Sequence, residues 1–209
     1  MNINCIKQSK GYMINTFSTP KIEGTYTHPR IGYTINFLKD YERGVTVLGI
    51  GEKNLPDKII ASHFDHVLIN TQGNLDETGW NKDLPKFKYI YCFEVMEHLL
   101  NPLLFLEEVK KVMQPDSKLF ISVPFHTHRR YWNNSHWHEM DIERLNYLFD
   151  VAGLKVLRFD KRYSYKTVSI GKSVELLSGK RKFQGVWAHF KKIKPIIRTT
   201  HYYFELEYK

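Results

Sequence analysis

Cysteine is almost missing from this chain: Cys5 and Cys92 are its only two, which gives no disulfide framework. Cys92 falls inside an apolar run and reads most simply as a small core residue. No apolar run approaches the ~18 residues of a membrane-spanning helix. No secretory leader pattern precedes residue 30, so the expected location is cytoplasmic. No internal repeat or low-complexity tract is visible. Acidic side chains are in deficit, 22 Asp and Glu against 31 Lys and Arg, which leaves a formal net charge of +9. That surplus permits attraction to nucleic acid, anionic lipid or acidic glycan and does not choose among them.

What remains is an ordinary globular composition. With 209 residues, 42% of them hydrophobic, the chain can bury the core of one α/β domain with an elaboration. Residues 1–28 mix polar and aromatic side chains without a period and read as an N-terminal extension or lid. Residues 29–209 form the main domain, with a basic, aromatic insert at about 171–195. His28-Pro29 opens a helix with Ile31, Ile35 and Leu38 on one face, and Arg43-Gly44 stops it. Val45 to Gly51 is a buried strand ending in glycine, as a ligand-binding strand-to-helix turn would. A helix near Leu55 to Phe64 leads to a second strand, His66 to Asn70. Asn101 caps a helix with Phe105, Val109 and Val112 as its core stripe. Gln114 to Ser117 is a turn before a strand from Lys118 to Pro124. Asp141 caps a helix with Leu145, Leu148, Phe149 and Ala152 inward, which Gly153 ends. Leu154 to Asp160 and His201 to Lys209 are the last strands.

The stretch that carries chemistry is Tyr89 to Leu99. A buried strand, Tyr89 to Phe93, runs into a turn or short helix bearing Glu94, Glu97 and His98. If that segment is helical, offsets of three and four put all three on one face. Two carboxylates and an imidazole at the carboxyl end of a strand are costly as packing and useful as chemistry. His126, His128, Arg129, Arg130, Tyr131 and Trp132 follow the next strand. Arg129 and Arg130 can hold a phosphate or carboxylate, or simply be solvated. Tyr131, Trp132 and Trp137 suit stacking on a sugar or base, or closure of the core edge. In the insert, Phe183, Trp187, Phe190 and Ile193 form a stripe among Lys180, Arg181, Lys182, Lys191, Lys192 and Lys194. The stripe reads as a core or dimer contact, and the charge as a surface for nucleic acid or another anionic partner.

Phe93 to Leu99, Asn101-Pro102, Phe105 to Pro115 and Leu119 to Pro124, in that order, resemble the central third of class I S-adenosylmethionine-dependent methyltransferases of the type 11/23 kind. The resemblance implies an α/β fold: a doubly wound, mostly parallel seven-stranded sheet with helices on both faces. It implies S-adenosylmethionine as cofactor, in a pocket lined by Gly49, Gly51, Asn70 and Asp83 with Cys92 and Phe93 beside it. Asp83 reads equally as a solvated turn residue. The acceptor would be an oxygen or nitrogen of a small molecule or glycan, held near Arg129, Arg130, Tyr131 and Trp132 and faced by Glu94, Glu97, His98 and His138. Three departures narrow the match. Gly49 and Asn70 stand where the family carries acids, two further glycines near Lys53 and Leu55 are missing, and Thr71 to Lys88 is short.

Glu-x-x-Glu-His is similar to a motif of ubiquinone-biosynthesis O-methyltransferases and of small-RNA 2′-O-methyltransferases. The latter ligate a divalent metal with two Glu, the adjacent His and a later His. This implies a possible metal quartet of Glu94, Glu97, His98 and His138, against a plain hydrogen-bonded loop anchor. The rival readings are an RNA 2′-hydroxyl acceptor and a catalytically inactive scaffold of the same fold.

Overall fold

The structure, a computed structural model, describes residues 29–52, 55–126, 133–166 and 196–209. The N-terminal extension, the basic insert and Arg129, Arg130, Tyr131 and Trp132 lie outside the described residues.

Six strands, β1 (Thr46–Gly49), β2 (Val67–Asn70), β3 (Phe87–Phe93), β4 (Met113–Phe125), β5 (Leu154–Lys166) and β6 (Ile196–Tyr208), form one sheet in the order β2-β1-β3-β4-β6-β5. β1 to β4 pair in parallel, and β6 runs antiparallel between β4 and β5. The helices are α1 (Pro29–Leu38), α2 (Leu55–His63), α3 (Pro102–Lys110) and α4 (Ile142–Val151). None of them is long and apolar enough to cross a membrane.

The alternation in β3 shows why the sheet is covered on both faces. Tyr89, Tyr91 and Phe93 join Val47, Leu68 and Phe120 in an aromatic cluster beneath α1 and α2. Ile90 and Cys92, one residue out of step, join Leu48, Ile121 and Val123 against Phe105 and Val109 of α3 and Leu145 and Phe149 of α4. Caps fix where the second pair of helices begins. The Asn101 side chain accepts from Leu104 N at 3.1 Å with Pro102 in the first turn, and Asp141 accepts from Arg144 N at 2.9 Å. Gly153, at φ 68°, follows α4.

The described residues give six strands where the resemblance implies seven, and residues 71–86 fold as turns, in line with the shortness of that segment. Those turns are pinned to α3: Gly79 N donates to Glu108 Oε2 at 3.0 Å, Asn81 Nδ2 donates to the Glu108 carbonyl, and Asn101 N donates to Asp76 Oδ1 at 2.8 Å. The Gln114–Ser117 turn sits inside the span of β4 as a bulge, where pairing jumps from Phe87 with Met113 to Tyr89 with Lys118.

Candidate active site

β1 ends in a turn that only glycine makes without strain. Gly51 has φ +92°, its N–H donates to Thr71 Oγ1 at 2.7 Å, and Thr71 N donates back to the Gly49 carbonyl at 3.0 Å. The strand-ending loops of β1 and β2 are thus tied together. The two missing acids prove to be one coupled feature. A Cβ on Gly49 would lie 2.6 Å from Asn70 Nδ2 and 2.9 Å from Leu68 Cδ1, and Asn70 Nδ2 turns back toward the Gly49 carbonyl at 3.4 Å. The amide of Asn70 occupies the space a side chain at position 49 would need.

Of the other residues expected at the cofactor, Asp83 is exposed on the turn before β3. Phe93 stacks on Tyr91 at 5.4 Å. Cys92 is fully buried in the aliphatic core, where burial pushes its thiol well up, so it packs behind the loops rather than lining them.

At the exit of β3 the chain makes a second sharp bend. Glu94 has φ +58°, unusual for a residue with a side chain, and its N–H donates to the Ser122 carbonyl of β4 at 2.9 Å. A three-residue 3-10 turn, Met96–His98, follows. The left-handed residue breaks the helical face expected for Glu94, Glu97 and His98. Glu94 instead turns to β4, β6 and α1: it accepts from Arg30 Nη1 at 2.6 Å and from Ser122 Oγ at 2.9 Å, with His201 Nε2 at 3.7 Å.

Glu97 and His98 meet a different partner. Glu97 is 2% exposed, its Oε1 is 3.7 Å from His98 Nε2, and its Oε2 is buried without a hydrogen-bond partner among the described residues. Burial first, and then the neighbouring Glu94 carboxylate, push its pKa up to about 8. His98 Nδ1 donates to the Ser135 carbonyl at 2.9 Å. The histidine that completes the group is His136, whose ring lies 4.7 Å from that of His98, edge to face. One ligand-type atom each of Glu97, His98 and His136 falls within 4.8 Å of the others.

His138, expected in that place, bonds through Nε2 to the Leu100 carbonyl at 3.4 Å. The reason lies in the backbone. Trp137 N and His138 N both donate to the Glu97 carbonyl, at 2.8 and 3.2 Å, which docks the 133–140 segment on the 3-10 turn with His136 at the cluster. Glu139 braces the arrangement. Its Oε1 accepts from His136 Nδ1 at 3.0 Å and His126 Nδ1 at 2.8 Å, and its Oε2 from His126 N at 2.9 Å. Glu139, Arg30 and Thr71 are site residues that sequence reasoning missed, whereas His136 stood in the same segment as the second choice to His138. The spacing of three between His136 and Glu139 was the available signal.

The glycine-ended loop and the acid–imidazole cluster are neighbours, since a Cβ on Gly51 would stand 3.7 Å from Val95 Cγ2. Both lie at the carboxyl ends of parallel strands, the position where open α/β sheets bind ligands. Fold and site therefore define a doubly wound α/β ligand-binding domain with acid–base groups beside its first loop. Residues 30–158, more than half of the chain, match the family model described as "Methyltransferase domain", and the chain belongs to that family. It is a methyltransferase, with S-adenosylmethionine as cofactor.

Solved structures agree on the fold. A protein of Bacillus halodurans C-125 assigned as a methyltransferase superposes with a TM-score of 0.54 at 12% identity, covering 84% of this chain and 99% of its own. A protein of Galdieria sulphuraria assigned as a sarcosine dimethylglycine methyltransferase gives 0.54 at 10% identity, with 85% and 83% covered. The cyclase SpnF also gives 0.54 at 10% identity, with 93% and 86% covered. The last is similar in fold and carries a different reaction in its name, so the fold alone does not fix the chemistry. No curated protein matches the chain in sequence.

Proposed function

We propose that this protein transfers the methyl group of S-adenosylmethionine to an oxygen or nitrogen of a small molecule or glycan. The observation that carries the reading is the adjacency of the Gly51 turn to the loop bearing Glu97 and His98, across the Gly51–Val95 contact. The residues fit the cofactor: Gly51 leaves its loop without a side chain, Asn70 offers an amide oxygen to ribose hydroxyls, and Asp83 adds a carboxylate on the turn before β3. Bound there, S-adenosylmethionine supplies an electrophilic methyl on sulfonium.

The chain's own residues orient the acceptor and receive its proton. Glu97, His98 and His136 face the acceptor side. Raised to about 8, the Glu97 carboxyl takes up or releases a proton near neutral pH, while Glu139 fixes the tautomer of His136 with its proton on Nδ1. Positioning supplies most of the rate in such a transfer.

The RNA alternative asks for a divalent metal held by Glu94, Glu97, His98 and His138. Two of the four are engaged elsewhere, Glu94 with Arg30 and His138 with the Leu100 carbonyl. That favours the small acceptor.

The test is incubation of the protein with S-adenosylmethionine tritiated on its methyl group and a fractionated cell extract. Label should enter the small-molecule or glycan fraction and survive ribonuclease. Label confined to ribonuclease-sensitive material overturns the acceptor class.

A further inference from the structure

Two short segments beyond the sheet, 97–101 and 133–141, are zipped together by four hydrogen bonds. Trp137 N and His138 N donate to the Glu97 carbonyl, His98 Nδ1 to the Ser135 carbonyl, and His138 Nε2 to the Leu100 carbonyl. The zip sets the rings of His98 and His136 edge to face and leaves Trp137 and Leu100 outside, 66% and 62% exposed. Trp137 belongs to neither apolar cluster, so it does not close the core edge.

A scattered exposed apolar side chain is ordinary on a protein surface. Trp137 differs because of where its backbone is fixed. Its N–H is anchored to the carbonyl of Glu97, the residue assigned to proton transfer, so the indole is mounted on the acceptor side. A rigid ring with two side-chain torsions loses little freedom when a ligand covers it.

Charge and polarity select the occupant. Neither segment carries a lysine or arginine, whereas Glu97, Glu139 and Asp141 all lie in them. A nucleic acid stacked on Trp137 would bring its phosphates to that acidic rim without a cation from either segment. A pyranose is neutral, with an apolar C–H face for the indole and hydroxyls around its edge. The exposed side chains of Asn133, Asn134 and Ser135 stand beside Trp137 in the chain and both donate and accept hydrogen bonds.

We propose that Trp137 is a stacking platform for a sugar ring, which makes the acceptor a neutral saccharide or glycoside. The platform rests on the methyl-transfer reading and narrows its acceptor. Trp137 positions the ring, and proton transfer stays with the neighbouring acid–base groups.

The test is saturation-transfer NMR on the untagged full chain, with methyl pyranosides of the gluco, galacto, manno and rhamno series and uridine 5′-monophosphate as probes. Ring protons of at least one pyranoside should take up saturation at millimolar concentration. Trp137→Ala, which keeps the backbone N–H, should weaken that binding by about 10-fold or more. Trp137→Phe should hold it within about threefold of wild type. Tyr147→Ala, which removes an exposed aromatic from α4, should match wild type. No pyranoside signal, a Trp137→Ala variant that binds as wild type, or Trp137-dependent signal from the nucleotide alone overturns the platform. Titration with S-adenosylhomocysteine separates the two readings. A chain that binds this product and no pyranoside loses the platform alone, and one that binds pyranoside through Trp137 but no product keeps the platform and loses methyl transfer.

Discussion

Asn70 and Gly49 show how two residues act as one. With no Cβ at position 49, the Asn70 amide folds inward toward the Gly49 carbonyl. A carboxylate in its place has no proton to donate there. Asn70→Asp should therefore turn outward and accept from both ribose hydroxyls with charge assistance, tightening S-adenosylmethionine binding by about 1 kcal/mol in calorimetry. An unchanged Kd removes Asn70 from the ribose. The sequence made the two departures visible but separate, because their coupling is a contact between neighbouring strands. The choice of His136 over His138 was hidden for a related reason. Both are imidazoles in one short segment, and main-chain hydrogen bonds to the Glu97 carbonyl decide which of them meets the cluster. The left-handed Glu94 left no mark in the sequence, because glycine is the residue that announces such a bend.

Among the elements, α1 carries Arg30 to Glu94 and is fastened at its other end by Arg158 of β5. That guanidinium stacks 4.1 Å over the Phe37 ring, donates to the Phe37 carbonyl, and donates through Nε to the buried Glu205 of β6 at 3.1 Å. Arg158→Ala removes all three contacts and leaves the Glu205 carboxylate in the sheet without this partner. It should cost about 2–3 kcal/mol by chemical denaturation. Arg158→Lys should recover only part, since an ammonium neither forks nor stacks as a guanidinium does. A loss below about 0.5 kcal/mol for the alanine variant would place Arg158 among ordinary surface charges. The elements themselves were largely legible. The Asn101 and Asp141 caps, the glycine after α4 and the apolar run of β3 all stand where local chemistry put them. The turns at 71–86 fit the shortness of that segment in the sequence, and Glu108, a polar residue on an otherwise apolar helix face, gathers them by hydrogen bonds that periodicity does not display.

At the scale of the molecule, the strand order brings the loops after β1, β2, β3 and β4 to one edge, the edge where the proposed function puts methyl transfer. In the proposed function that edge has two halves: a cofactor side built on Gly51, and an acceptor side built on Glu97, His98 and His136. Calorimetric titration with S-adenosylhomocysteine, the demethylated product, tests that division directly. Wild type should bind one equivalent, Gly51→Val should lose binding because a β-branched residue cannot hold φ +92° without strain, and His136→Ala should bind as wild type. No heat from the wild type up to about 1 mM product, or equal loss in the two variants, would contradict it.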